Sequence, residues 1–591
     1  MTKGTKSRLT CYGIAYVFVL LSSLPSSVAA QTEGPRYGGT LRVAYVGDPK
    51  SWFTFTDFWS ISYVIQIQSF NRLITQDKDW NVIGDLARSW DISDGNRVFT
   101  FHLYDNVTFH DGTRFTAHNV EFLYNMLFEM RPEVNGTGEW RDVKALDDYT
   151  VRLRFHKPRH IETIETATSA WSCLELPMHI YKGTDYRKNP ANWKPIGTGP
   201  FKVVEYKEGS YIRMEAFDKY FKGRPYLDKL EFLIISDQTT ALMALEKGEI
   251  DCIDNKVGVS PSEVAGVQAN PKLGVGVERW PGMFRVTFNF REEARQKNPW
   301  LSDVRVRRAL WHAIDRQTII DKVLFGITGV EDTVMSKENK YYHNDKTMKY
   351  PFDKTKAESL MDEAGYRRGP DGVRFRPQMV LYKSVMSIGE VIRQMWKDVG
   401  VELELVPTED TAFFSMYEAG REGLKDFPFG INKFGGPFPS GIEYWSSGKR
   451  PPPVGGNCGF WNNTEYTQLI ENGLVEFDPN KRKQIYYRAQ EIAAEEVPYI
   501  FLWTDSRLSA SSKEFTNFES LRPATTRSRY DRIWWTKGTL PTPVTTTTRP
   551  PTTTTTQAAA ETPTTTYALA GLALVVVIIG GYMLARKRRR M

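Results

Sequence analysis

Histidines 102, 110 and 118 recur every eight residues, a regular spacing of potential metal ligands. The first two fall in a hairpin region and the third at a helix start, which is not the spacing of a zinc site, so no metal is assigned. Gly197-Thr198-Gly199-Pro200 is part of a glycine-rich loop, but it leads into a strand, whereas a phosphate cradle needs a helix N-terminus. The chain has no G-x-S-x-G nucleophile elbow and no H-E-x-x-H pair, and Glu495-Glu496 reads as a solvated helix face. Glycoside hydrolysis would need two carboxylates about 5–10 Å apart across a cleft, which nothing in the sequence supports. These residues point to no enzyme and no cofactor. Binding through aromatic rings is the chemistry that remains, with Trp52, Trp59, Trp171, Trp193, Trp280, Trp300, Trp311, Trp396, Trp445 and Trp461 spread through the chain. Flat rings offer large contact area at low entropic cost, although most aromatics serve a core.

The elements that must position such residues alternate between strand and helix. Thr40–Val46 has strand character. Trp90–Leu103 reads as a hairpin turning at Asp94-Gly95, with Phe99, Phe101 and Leu103 alternating with polar neighbours. Thr116 is placed to cap a helix carrying Val120, Leu123 and Leu127 on one face. Thr239 starts a short helix that ends at Gly248 and is followed by a strand, Ile250–Ile253. Val306, Ala309, Leu310, Ala313 and Ile314 follow helical spacing, and Asp315 caps the next helix. The chain is therefore α/β, and its ~500-residue body is long enough for two or three packed units.

Both ends carry targeting signals. Lys3, Lys6 and Arg8 precede an apolar run, Ile14–Leu24, and Val28-Ala29-Ala30 is a small-residue cleavage pattern, so residues 1–30 read as a secretory signal peptide. Tyr567–Leu584 is uncharged and spans about 27 Å as a helix, the thickness of a bilayer core. The basic residues 586–590 follow it, which places the tip, 586–591, in the cytoplasm and the body outside. A transmembrane helix over 567–585 is thus expected behind a Thr/Pro-rich stalk, 541–566, which cannot bury a core and stays extended. The formal charge of +7 includes three cations in residues 1–30 and five in 586–590, which leaves −1 on the remainder. A basic balance of that origin does not indicate nucleic acid. Cys173, Cys252 and Cys458 are odd in number and widely spaced, which is no disulfide framework; one bridge and its pairing stay open. Asn106, Asn135 and Asn462 begin N-x-T glycosylation sequons.

Several blocks resemble the family 5 extracellular solute-binding proteins of ABC importers. They are Leu86–Phe122 (LARSWDISDGNRVFTFHLYDNVTFHDGTRFTAHNVEF), Ile196–Tyr206 (IGTGPFKVVEY), Tyr220–Asp254 (opening YFKGRPYLDKLEF), Ser302–Gly326, Pro351–Tyr366 and Asp478–Trp503, in the family's order. The signal peptide, stalk and anchor are similar to tethered versions on archaeal surfaces. The resemblance implies a two-lobed periplasmic-binding-protein-like fold of the large type, within residues 31–540. The first lobe would use about 37–75, 196–285 and 500–536, an extra subdomain about 76–195, and the second lobe about 286–499. Hinge crossings are expected near Val286–Phe290 and Pro498–Trp503.

The same resemblance implies a surface-anchored receptor that closes on a small oligomeric solute and delivers it to a separate ABC permease with its ATPase subunits. Trp52 and Trp59 follow the first strand, where the family's ligand-contacting loop lies. Phe427–Trp461 is rich in Gly, Pro and aromatics and reads as loops over a scaffold. Peptide-binding members often carry an aspartate here for the peptide amino group; this chain has Phe434-Gly435-Gly436-Pro437. An aromatic, uncharged wall favours an oligosaccharide, whereas family usage favours an oligopeptide. The expected ligand-binding residues are Trp52, Trp59, Asn289, Phe434, Trp445 and Trp461. A surface glycoside hydrolase and an adhesin on the same fold are the alternative readings.

Overall fold

The structure is a computed structural model that describes residues 34–538, apart from residues 50, 54–61, 78–79, 131–139, 163, 165–173, 255–256, 410–411, 414–426, 436–456, 458 and 519–528, and of Phe434 the backbone alone. The signal peptide, stalk and apolar segment Tyr567–Leu584 lie outside the described residues. Among the described residues no helix is long and apolar enough to cross a membrane.

Alternating apolar positions build a ten-stranded mixed sheet. Its strands are β1 (Thr40–Tyr45), β8 (Phe201–Lys207), β9 (Tyr211–Ala216), β10 (Lys229–Ile234), β11 (Cys252–Ile253), β12 (Leu273–Phe288), β13 (Gln378–Tyr382), β14 (Glu404–Thr408), β15 (Phe429–Gly435) and β16 (Tyr499–Ser512). They run in the order β14, β13, β15, β12, β16, β11, β1, β10, β9, β8. β1 is parallel to both β10 and β11, and its Leu41, Val43 and Ala44 are fully buried, as the centre of a parallel sheet requires. A separate four-stranded antiparallel sheet joins β4 (Ala87–Ser93), β5 (Val98–Leu103), β7 (Thr150–Phe155) and β6 (Trp140–Asp147). β4 and β5 form the expected hairpin, with Asp94 and Gly95 both at positive φ, the geometry of a tight hairpin turn. Two small pairs complete the set, β2 (Ile74–Gln76) with β3 (Val82–Gly84) and β17 (Phe515–Thr516) with β18 (Trp534–Trp535).

The cap expected at Asp315 is met, and two further aspartates cap helices in the same way. Asp315 and Asp478 accept backbone N–H bonds from Thr318 and Lys481 at their helix starts, and Asp303 does the same for Arg305. Thr116 stands directly before the helix Ala117–Met130. The helix expected from Thr239 starts one turn residue earlier, at Gln238, because Asp237 supplies the cap; it ends at Gly248 in the left-handed region.

Apolar side chains collect into separate cores. One (Phe99, Leu123, Leu153 and neighbours) lies between the four-stranded sheet and the helix Ala117–Met130; we call it the subdomain. Two lie on the β1 half of the large sheet, the first lobe, around Phe232 and Tyr530 and around Leu245 and Leu508. The largest fills the β13–β15 half, the second lobe, around Trp311, Trp396, Ile431 and Phe501.

A buried carboxylate ties the subdomain to the first lobe. Asp85 accepts from the Arg529 guanidinium at 2.9 and 3.1 Å, Lys222 Nζ at 2.7 Å, Asn71 Nδ2 at 2.8 Å and the Arg72 N–H at 2.9 Å. These partners outweigh burial and hold its carboxyl far below the usual range. Beside it the Gly-Thr-Gly-Pro loop packs backbone to backbone. A Cβ at Gly197 would sit 1.9 Å from the Ser69 carbonyl oxygen, and one at Gly199 2.4 Å from that of Gln68. His110 clamps this loop: its Nδ1 accepts from Gly197 N–H at 3.3 Å, and Nε2 lies 3.0 Å from the Gly199 carbonyl. Burial pushes the ring down to about 4, so it is neutral and donates from Nε2. His102 and His118 face Asp91 and Asp148, so the three evenly spaced histidines go to three different places.

Glu175 is a contrasting case. Its side chain is fully buried between Leu174 and Leu176, and neither carboxyl oxygen has a partner among the described residues. Burial raises its pKa well above the usual range. The folded state therefore holds the proton more tightly than the unfolded chain, and stability declines as pH rises above the ordinary carboxylate range. Glu175→Met is expected to raise the melting temperature by roughly 2 °C or more at pH 8 and by less at pH 4, measured by scanning calorimetry. An equal change at both pH values would contradict a desolvated carboxyl.

Candidate functional site

β12 and β16 are the only described strands long enough to serve both halves of the large sheet, with 16 and 14 residues. From Leu273 to Arg279, β12 pairs with Ser512 to Ser506 on the first-lobe side; from Met283 to Thr287 it pairs with Thr504 to Tyr499 on the second-lobe side. Between these stretches Trp280, Pro281 and Gly282 stand opposite a single residue, Asp505. A second register shift follows between Phe284 and Arg285. Proline removes a ladder donor, and bulges bend a strand pair, so the ladder breaks where the chain passes from one lobe to the other. The approach is tight: Gly435, at φ +138°, lies opposite Gly282, and a Cβ on it would be 2.3 Å from the Gly282 Cα. The break thus falls N-terminal to the expected crossing at Val286–Phe290, and Pro281-Gly282 is the sequence signal that marks it.

The second-lobe side of this break is held firmly. Arg307 donates to the carbonyls of Val497 and Glu496 at 3.0 and 2.6 Å, and Arg308 to Glu495 at 2.6 Å, satisfying the last carbonyls of the helix Pro479–Glu496 just before β16. On the outer edge of β16, Val330 bridges Trp503, and Thr504 N–H donates to the Gly329 carbonyl. Glu331, fully buried, accepts from Thr504 Oγ1 at 2.8 Å and Ser336 Oγ at 2.6 Å. Burial pushes its carboxyl up to about 7 against these donors.

β15 carries the chemistry that borders the break. β12 pairs with all seven of its residues, whereas β13 pairs only with Phe429 and Gly430. Among the described residues, Ile431–Gly435 therefore has one edge without a strand, a place where an extended chain could add. Lys433 lies on this stretch, opposite Phe284, with Nζ 4.9 Å from that ring; Phe284 in turn stacks on Trp503 at 5.3 Å. Lys433 Nζ is 3.3 Å from Asp505, which Arg507 approaches at 3.5 Å. This cluster is both aromatic and charged.

Four of the six expected site residues lie among the described ones, Phe434 by its backbone alone. Asn289 is buried; its Nδ2 donates to the Phe427 carbonyl and its Oδ1 accepts from Arg291 N–H. It lines a pocket of about 310 Å³, solvent-open space included, with Thr287, Asn432, Gly430, Gly459 and four phenylalanines, next to the open edge of β15. Phe434 lies on β15, opposite Met283. Trp461 sits in the second-lobe core and donates Nε1–H to Glu496 at 2.8 Å. Trp52 is 1% exposed in the first-lobe core, edge-on to Tyr206. Trp59 and Trp445 lie outside the described residues. Lys433 and Asp505 were not anticipated, because nothing local in their sequence marks them as neighbours.

Comparison with known proteins agrees with this architecture. The profile described as "Bacterial extracellular solute-binding proteins, family 5 Middle" matches residues 81–464. The oligopeptide-binding protein AppA of Bacillus subtilis is 27% identical over 537 residues, which is 87% of this chain and 95% of that protein. Among solved structures, the ABC transporter substrate-binding protein CtaP of Listeria monocytogenes matches with a TM-score of 0.74 at 27% identity, covering 85% of this chain and 100% of that one. The Bacillus subtilis AppA structure, in complex with a nonapeptide, matches with a TM-score of 0.68 at 25% identity over 85% of this chain and 100% of that one. With a profile match across most of its body and this two-lobed α/β fold, the chain belongs to family 5 of the extracellular solute-binding proteins.

Proposed function

We propose that this chain is the receptor of an ABC importer that captures a short peptide between its lobes and hands it to a separate permease with its ATPase subunits. The observation that carries the reading is the open edge of β15 at the lobe crossing. A peptide in extended form can satisfy such an edge with main-chain hydrogen bonds, and these are independent of its sequence. The relatives support the same ligand class, since the AppA structure was solved with a nonapeptide. Closure would turn on the bulged stretch Trp280–Gly282 opposite Asp505, where the ladder is weakest. A break there would part residues 37–279 and 506–536, with the subdomain 76–195, from residues 283–504.

Trp59, Trp445 and Phe434 would supply stacking surface, and Asn289, which lines the pocket beside this edge, an amide. Trp445→Ala is expected to weaken binding by roughly 1 kcal/mol or more if the ring is a central anchor. Delivery would take place outside the cell, with the chain secreted through residues 1–30 and tethered by Tyr567–Leu584 behind the Thr/Pro-rich stretch 541–566. An oligosaccharide ligand is the second reading. It is favoured by Gly435-Gly436-Pro437, which stands where an aspartate would hold a peptide amino group. The charged pair of Lys433 and Asp505 favours the peptide.

A thermal-shift screen with randomised pentapeptide pools and with α- and β-linked oligosaccharides is expected to show stabilisation by peptides. The gain is about 2.7 kcal/mol at a hundred times the dissociation constant. Stabilisation by sugars alone would replace the peptide reading with the oligosaccharide one. For peptides that bind, N-methylation of alternate backbone amides is expected to weaken binding roughly tenfold or more, because it removes main-chain donors. Unchanged affinity, measured by calorimetry, would exclude strand addition.

A further inference from the structure

Glu162 belongs to the subdomain by position, with Ile161 and Ile164 on either side packed into the subdomain core. Arg482 belongs to the second lobe, in the first turns of the helix Pro479–Glu496. The two meet 320 residues apart in sequence, Arg482 Nη1 donating to Glu162 Oε2 at 2.7 Å. Arg482 is 1% exposed and Glu162 17%. Next to this pair the His160 ring lies parallel to Phe477, with centroids 6.2 Å apart. Both contacts join the subdomain to the second lobe.

Arg482 is prepared for its partner from the second-lobe side. Its Nε donates to the Gly473 carbonyl at 2.9 Å and its Nη1 to Tyr342 Oη at 2.6 Å. The guanidinium also faces the rings of Tyr342 and Tyr486 at 5.3 and 5.6 Å. These are neutral groups, and Glu162 is the one carboxylate within ion-pair reach of the guanidinium among the described residues. Burial and the Arg482 charge push His160 down to about 4, so its ring adds no competing cation at neutral pH. A buried guanidinium whose carboxylate is withdrawn is left uncompensated, so this contact resists separation more than an exposed pair would.

Its place in the fold gives it leverage. Arg482 stands 14 residues before Glu496, at the end of the same helix, where the chain enters β16 and the broken ladder; that is about 21 Å along the helix axis. A rotation of about 10° at the break would move Arg482 by roughly 4 Å, enough to part the pair. The subdomain, in turn, is fixed to the first lobe through Asp85 and Arg529. We propose that Glu162 and Arg482 form a latch between the subdomain and the second lobe, made when the lobes draw together about the β12–β16 break and lost when they part. The proposal rests on the closure reading above and does not depend on what the ligand is.

The test uses the full chain and its native lysines. Lys157 in the subdomain and Lys481 in the second lobe are exposed and flank the pair. An amine-reactive cross-linker followed by mass spectrometry reports their proximity in the ligand-free chain, relative to a cross-link within the second lobe. Glu162→Leu is expected to lower the Lys157–Lys481 yield roughly fivefold. Dissociation of a bound pentapeptide pool should also speed up by a similar factor, with association little changed. A merely structural role for Glu162 would lower the melting temperature and leave both readouts unmoved, and that result would overturn the latch. If Glu162→Leu does not fold, Phe477→Ala replaces it; a smaller loss of the same cross-link supports the latch and an unchanged yield refutes it. Failure of the wild-type chain to bind any peptide would contradict the peptide reading, while the cross-link arm would still decide the latch.

Discussion

Two antiparallel strands shared by both halves of one sheet constrain everything else in this molecule. β12 and β16 cannot be separated into lobes, so relative motion of the lobes must be absorbed within their ladder. The weak point is written in three residues, Trp280-Pro281-Gly282, which face a single partner, Asp505. On one side the ladder is continuous with β11 and the first-lobe core. On the other it is locked by the Arg307 and Arg308 caps and by the hydrogen bonds of Thr504 to the Gly329–Glu331 segment. Rigid blocks on either side of a bulge are what a hinge requires, since bending is then confined to a few dihedrals.

The open strand edge and a charged, aromatic cluster both lie at this break. The open edge of β15 begins where β13 leaves it and ends at Gly435, against Gly282. Lys433, Phe284, Trp503, Asp505 and Arg507 border the same few residues. In the proposed mode, a solute laid along that edge would touch the second lobe by strand addition and the first lobe by closure. Binding energy is thereby coupled to lobe position, which is the physical content of capture by a two-lobed receptor. The Glu162–Arg482 contact lies about a helix length away, where the same rotation would produce a displacement of about 4 Å.

Much of the fold was legible because its signals are local. The Asp-led helix start at 315, the Asp94-Gly95 turn and the alternation of Phe99, Phe101 and Leu103 each need only a few neighbouring residues to act. The site was less legible because it is assembled over long sequence separations. Asp85 meets Arg529 across 444 residues, and Lys433 meets Asp505 across 72. Aromatic composition was a poor guide to exposure: Trp461 and Trp52 have the residue type of a binding platform but are 4% and 1% exposed in the two lobe cores. Both indoles fill core volume, and nothing in their immediate sequence distinguishes that use from stacking on a ligand. Pro281-Gly282, a proline-glycine pair inside a long strand, marks the break, but its meaning shows only once both strands are paired.

The most direct test is hydrogen exchange of the chain with and without a saturating pentapeptide pool, read at the backbone amides of Ile431–Gly435. Strand addition along β15 predicts that amides in this stretch become strongly protected on loading, together with slower exchange at Trp280 and Gly282 as the lobes close. Peptide binding that leaves the exchange of Ile431–Gly435 unchanged would contradict the account, since the ligand would then be held somewhere other than the open edge on which it is built.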